Sequence, residues 1–134
     1  MTLRNMGIGL LAVALSAATA MAEDAPAGDP EAGAKVFTKC RACHQIGDTA
    51  HNAVGPVLNG VVGRKAGTFP DYPYSDANKN SGLTWDVATL TEYLKAPRAK
   101  VPGTKMIFPG LTKPADIANV IAFLTQYGPD GKKK

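Results

Sequence analysis

The chain has 134 residues, with 15 basic and 11 acidic side chains, two histidines and a formal charge of +4 at pH 7. So mild an excess, with no interleaved basic and aromatic array, excludes a nucleic-acid-binding face. The length suits one domain, and a chain of this size buries only a little over about 60% of its unfolded surface, so its own core is modest.

Residues 1–22 read as a secretory signal peptide that is removed. Arg4 gives a positive start, Ile8 to Ala20 is apolar and small, and Ala20-Met21-Ala22 has the pattern of a cleavage site. The apolar run falls short of the ~20 residues that a membrane span needs, so no stable membrane insertion is expected. Residues 23–134 then form a single domain in an oxidising compartment outside the cytoplasm. Loss of Arg4 leaves 14 basic against 11 acidic side chains.

Glu23 to Gly28 is small, acidic and broken by Pro and Gly, as in a frayed leader. Asp29-Pro30 follows as N-cap and first helical residue. The spacing of Ala34, Phe37 and Thr38 predicts a helix to about Cys40 or Ala42. Gly33 inside it costs nearly ~1 kcal/mol relative to Ala, which points to close approach of another helix. At the end of this segment stands Cys40-Arg41-Ala42-Cys43-His44. Two thiols three residues apart, followed at once by an imidazole, have the pattern of a c-type haem attachment site. Residues at i and i+3 share a face, so both thiols can meet one edge of a macrocycle while His44 serves as an axial ligand. A thioredoxin-like dithiol needs a βαβ context that is missing. A zinc site from Cys40, Cys43, His44 and His51 lacks the spacing of its second ligand pair.

From Gln45 to Ser81 glycines and prolines divide the chain into turns, with no long periodic segment. A loop of this length needs something to organise it, and a buried haem would serve. Val57-Leu58 and Val61-Val62 are candidate pocket residues. Thr84 to Lys95 reads as a helix ended before Pro97. Ala96 to Leu111 is irregular and carries Met106. The last helix is marked by Pro114 in its first position and an i, i+3, i+4, i+7 stripe of Ile117, Val120, Ile121 and Leu124. Gly128 and Pro129 stop it, and Lys132 to Lys134 are expected as a solvated tail. No strand pattern stands out, and the fold class is all-α.

Of four methionines, Met1, Met6 and Met21 fall in the signal segment, leaving Met106. It is the candidate second axial ligand, since His/Met ligation is one of the recognised arrangements at haem iron. The alternatives are core packing for Met106 and a bis-histidine site using His51, which otherwise reads as a surface histidine.

With these residues in view the chain resembles the class I cytochromes c, in the bacterial cytochrome c2 and mitochondrial cytochrome c branch, from about Gly33 to Leu124. The resemblance is carried by Cys40 to His44, Gly55-Pro56-Val-Leu-Asn-Gly60, Gly63-Arg64, Tyr74 to Asn80, Trp85, Tyr93 and Pro102 to Phe108. It implies a small cytochrome c fold in which the first and last helices cross at Gly33, Phe37 and Phe123. One haem c would be held through Cys40 and Cys43, with His44 and Met106 on the iron. By the same resemblance the Pro56 carbonyl orients His44, while Tyr74 and Trp85 hydrogen-bond a haem propionate whose charge Arg64 offsets. Asn78, Tyr93 and Thr104 would form a polar cluster on the methionine side. Lys35, Lys39, Arg98, Lys105 and Lys113 would ring the exposed haem edge with Phe108 among them, a surface suited to redox protein partners with acidic docking surfaces.

The function expected is a periplasmic, monomeric, single-haem electron carrier that is not an enzyme. It would pass electrons between complexes such as a quinol:cytochrome c oxidoreductase and a terminal oxidase or photosynthetic reaction centre. The alternatives are a haem subunit docked permanently in a larger redox enzyme, and an enzymatic or gas-binding haem protein in which Met106 leaves the iron open. In the carrier both axial positions are filled, and neither a nucleophile-base pair nor a carboxylate dyad is evident.

Overall fold

The computed structural model describes residues 28–134, so the signal segment and the start of the leader lie outside the described residues. Among them five helices appear: α1 (Pro30–Phe37), α2 (Asp76–Lys79), α3 (Val87–Lys95), α4 (Pro97–Lys100) and α5 (Pro114–Thr125). Two isolated antiparallel bridges, Lys65 with Thr84 and Tyr127 with Lys133, are the extended pairings among the described residues.

The frame is the crossing of α1 and α5. Asp29 caps α1 by accepting from Glu31 N–H at 2.9 Å, and Pro30 occupies the first turn, where its missing N–H has no helical partner to lose. Gly33 lies on the contact. A Cβ built there would overlap the Asn119 carbonyl and come 2.8 Å from Phe123 Cβ. The helices therefore approach backbone to backbone, and this contact offsets the poor helix propensity of glycine. Phe37 is fully buried and stacks on Phe123 with centroids 4.9 Å apart. The apolar stripe of α5, Ile117, Val120, Ile121 and Leu124, is buried throughout.

Five features differ from the sequence expectation. First, α1 ends at Phe37, short of Cys40 or Ala42. Beyond it the N–H groups of Thr38, Lys39 and Cys40 bond three residues back, so the chain tightens into successive turns that carry the two cysteines. Second, α3 begins at Val87, because Thr84 pairs with Lys65 and Asp86 accepts from Thr89 N–H as the N-cap. Third, α2 and α4 give one helical turn each to stretches expected to be irregular. Fourth, the C-terminal lysines are exposed but not a free tail. Gly128 N–H donates to Lys132 O at 2.9 Å and Lys134 N–H donates to Gln126 O at 2.8 Å. At the other end, Asp29 N–H donates to Asn119 Oδ1 at 2.8 Å. Gly28 packs against the backbone of Ala118 and so does not belong to a frayed leader.

Candidate haem site

One cavity of about 420 Å³ opens between α1, α3, α5 and the long loops. Its wall is largely apolar, with Leu58, Leu90, Leu94, Leu111, Val120 and Leu124 among the lining side chains. A concave, mostly apolar space with a few convergent polar groups is the usual form of a cofactor site.

Cys40 and Cys43 stand on the turn that follows α1. Cys43 N–H donates to Cys40 O at 3.1 Å and His44 N–H donates to the same carbonyl at 2.9 Å. This single tight turn brings three chemically active side chains to the cavity wall. Both thiols are free and half-buried. Burial, with smaller opposing effects from Arg41 and Lys39, pushes the Cys40 thiol above its ordinary value.

The His44 ring is fixed through Nδ1, which lies 2.7 Å from the Pro56 carbonyl. A carbonyl can only accept, so Nδ1 carries the proton and Nε2 keeps its lone pair. Burial lowers the His44 pKa; the Pro56 bond opposes this and the Arg64 charge adds to it. A neutral imidazole with Nε2 free is the form that binds a metal ion. Gly55 leaves room for the ring, since a Cβ there would lie 2.8 Å from His44 Nε2.

Met106 reaches the same cavity from the segment between α4 and α5, half-buried. Its sulfur accepts from the Tyr93 hydroxyl at 3.5 Å, and its N–H donates to Thr104 Oγ1 at 3.3 Å. Tyr93 stacks on Trp85 with centroids 4.6 Å apart, which locks both rings in the core. Burial raises the Tyr93 pKa, opposed by a hydrogen bond with Thr104, so the phenol is a neutral donor.

On the polar side, Arg64 spends Nη1 and Nη2 on the Val57 carbonyl at 3.2 Å each, and Nη1 also donates to Asn59 O at 3.0 Å. Its Nε is buried without a partner among the described residues, as is Asn78 Oδ1. Tyr74 accepts from Phe69 N–H at 3.1 Å, and its own hydroxyl proton remains to be donated. A half-buried guanidinium with no carboxylate paired to it among the described residues is costly unless an anion meets it. These residues fit haem. The cavity has thiols and a metal-competent imidazole at one wall, a thioether at another, and a cation with unsatisfied donors for a carboxylate.

All eleven sequence-selected cofactor residues, Cys40, Cys43, His44, Pro56, Arg64, Tyr74, Asn78, Trp85, Tyr93, Thr104 and Met106, line this one cavity. Of the candidate partner residues, Lys39, Lys105 and Phe108 border it, whereas Lys35, Arg98 and Lys113 are exposed but do not line it. His51 is exposed and also off the wall. Three features were not singled out from sequence. Val54 and Ile107, 72% and 87% exposed, stand at the mouth as bare apolar side chains. Tyr72 ties two loops, donating to Val54 O at 2.6 Å while Lys105 Nζ sits 4.5 Å from its ring centroid. Asn59 is buried behind Arg64. Exposure of an apolar side chain leaves no mark in sequence, and loop-to-loop bonds have no period.

The family model described as Cytochrome c matches residues 30–127. The chain is 64% identical over 107 residues to cytochrome c2 of Rhodoblastus acidophilus, covering 80% of this chain and all of that protein. It is 52% identical over 132 residues to cytochrome c-554 of Methylosinus trichosporium, covering 98% and 100% respectively. Among solved structures, cytochrome cH from Methylobacterium extorquens superposes with a TM-score of 0.70 at 52% identity, covering 73% of this chain and 98% of that one.

Proposed function

The chain belongs to the cytochrome c family, in the bacterial class I branch with cytochrome c2, and from that premise we propose how it carries electrons. The family's members are electron-transfer proteins and not enzymes, and they bind haem c covalently. In this chain Cys40 and Cys43 would hold the haem through thioether bonds, and His44 Nε2 and Met106 Sδ would ligate its iron. The observation that carries this reading is the convergence on one cavity of a Pro56-oriented His44 and a Tyr93-bonded Met106.

When bound, haem supplies an iron that accepts and releases one electron between its ferric and ferrous states. The residues do the rest. Pro56 O holds the His44 proton on Nδ1, which keeps Nε2 available and raises the basicity of the ring. Tyr93 fixes the rotamer of Met106 and withdraws a little electron density from its sulfur. Tyr74 and Trp85 would hydrogen-bond a propionate, and Arg64 would offset its charge. Asn78 and Thr104 complete the polar lining near Met106. The leucine wall excludes water, so the polarity near the iron is set by these few groups.

Residues 1–22 are removed on export, and residues 23–134 work as one periplasmic domain. No helix among the described residues is long and apolar enough to cross a membrane. Electrons pass at the cavity mouth, where Val54 and Ile107 form an apolar centre beside Lys39 and Lys105. Lys35, Arg98 and Lys113, with Phe108, extend this surface towards redox proteins with acidic docking faces. A small apolar centre with a charged rim suits a fast encounter that parts easily. The alternative is a haem subunit held permanently in a larger enzyme. Gel filtration of the exported protein, with its oxidation rate by an acidic redox protein measured against ionic strength, separates the two. The carrier elutes as a monomer and slows as salt rises. Salt-insensitive turnover inside a stable complex would support the subunit instead.

A further inference from the structure

Asn59 is the buried polar side chain of the core among the described residues, 9% exposed. Its Oδ1 accepts from Gly47 N–H at 2.8 Å and its Nδ2 donates to Gly47 O at 2.8 Å. A carboxamide offers an acceptor and a donor side by side, so it can satisfy both backbone groups of one residue as a neighbouring strand would. The backbone carbonyl of Asn59 accepts from Arg64 Nη1, and that of Val57 accepts from both outer nitrogens. With those nitrogens engaged, the aim of the guanidinium depends on where residues 57–59 are held. Its Nε is buried without a protein partner among the described residues, on a side chain that lines the cavity.

The C-terminal turn closes over this arrangement. Gly131 N–H donates to Gly128 O at 3.0 Å and Lys132 N–H donates to Asp130 Oδ1 at 3.0 Å, so residues 128–132 form a self-bonded knuckle. Gly131 adopts φ +79°, and a Cβ there would overlap the Gly47 carbonyl and lie 2.7 Å from Asn59 Nδ2. Glycine is needed twice over, for the left-handed backbone and for the closeness. The turn leaves residues 47 and 59 little room to part.

We infer that Asn59, bonded to Gly47 and covered by Gly131, is a positioning residue that holds Arg64 at the haem and thereby favours the reduced state. A fixed cation stabilises the state that carries one more electron, and the attraction weakens when the cation drifts into water. The inference rests on Arg64 facing the haem, as proposed above. A second route through the same segment has the opposite sign. Loosening the Pro56 bond to His44 would make the imidazole a poorer donor to iron and favour reduction.

The test is a spectroscopic redox titration of the haem-loaded protein at fixed pH and salt. Asn59→Ala and Gly131→Ala are each measured alone and in an Arg64→Gln background. Each single change should lower the ratio of reduced to oxidised protein at a given applied potential by roughly two- to tenfold, the lower part of the range of coupling between contacting residues. In the Arg64→Gln background less than half of that shift should remain. A raised ratio, or an equal shift in both backgrounds, overturns the inference. Arg64→Gln with no effect of its own overturns Arg64's part in the site, and this inference with it. A shift from Arg64→Gln with none from Asn59→Ala or Gly131→Ala overturns the inference alone. Gly131→Ala keeps the Asn59 and Arg64 side chains chemically intact while pressing on the contact between them and Gly47, and it carries the test where Asn59→Ala does not retain haem.

Discussion

The Tyr93 hydroxyl donates to Met106 Sδ across 3.5 Å, joining α3 to the loop before α5 at the cavity wall. On the proposed ligation this bond draws electron density from the sulfur, and a poorer donor favours ferrous iron. Tyr93→Phe keeps the ring and its stacking on Trp85 while removing the donor. The reduced-to-oxidised ratio at a fixed applied potential should fall, by up to roughly tenfold for one hydrogen bond of ordinary net strength. A redox titration reads this directly, and an unchanged potential would show that the contact does not tune the sulfur.

Gly33→Ala sets two opposed effects against each other. Alanine improves helix propensity by nearly ~1 kcal/mol, but its methyl would overlap the Asn119 carbonyl, a backbone atom that cannot rotate away. Overpacking of this kind costs about 1–3 kcal/mol, so packing wins and the protein is destabilised. Denaturant unfolding of the haem-loaded protein should show a lower midpoint. A raised midpoint would contradict the close crossing of α1 and α5.

Much of this frame was legible in the sequence because it is local. Asp29-Pro30 and Pro114 mark helix starts whatever surrounds them, and the Ile117, Val120, Ile121, Leu124 stripe repeats at the helical period. The end of α1 was less legible, since turns bonded three residues back and an α-helix ask for the same residues at 38–43. The start of α3 was misplaced because Thr84 is claimed by Lys65, nineteen positions away and without a sequence signal. The cysteine pair and His44 were readable because covalent attachment demands fixed spacing. The part of Asn59 was not, because an asparagine between Leu58 and Gly60 looks like an ordinary turn residue until Gly47 and Gly131 fold against it.

Asp86 gives stability a pH dependence. Its carboxylate accepts from Thr89 N–H at 2.8 Å, and that backbone bond, with a side-chain bond from Thr89, holds its pKa below the ordinary 3.8. The folded value lies under the unfolded one, so the contribution is complete above about pH 4 and is lost as pH falls through the folded value. Asp86→Ala should lower the thermal midpoint at neutral pH, and the gap from the parent protein should narrow on acidification below about pH 4. A gap that stays constant into strong acid would exclude the carboxylate as its source.

Charge at the cavity mouth should govern the encounter with partners more than the redox chemistry. Lys39 is exposed and borders the cavity, with no ion pair among the described residues. Lys39→Glu should slow the bimolecular reaction with an acidic redox protein by about tenfold at low ionic strength, the lower end of what steering contributes. The difference should fade as salt shortens the screening length. Stopped-flow rates that match the parent protein at low salt would contradict a docking role for Lys39.

On the proposed ligation Met106 completes a closed coordination shell, leaving electron transfer as the chemistry of the site. The near-infrared absorption of the oxidised, haem-loaded protein tests it most directly. A weak sulfur-to-iron charge-transfer band, present in the parent protein and lost in Met106→Ala as the iron becomes high-spin, is the predicted result. A parent protein already high-spin when oxidised, or a band that survives Met106→Ala, would contradict it.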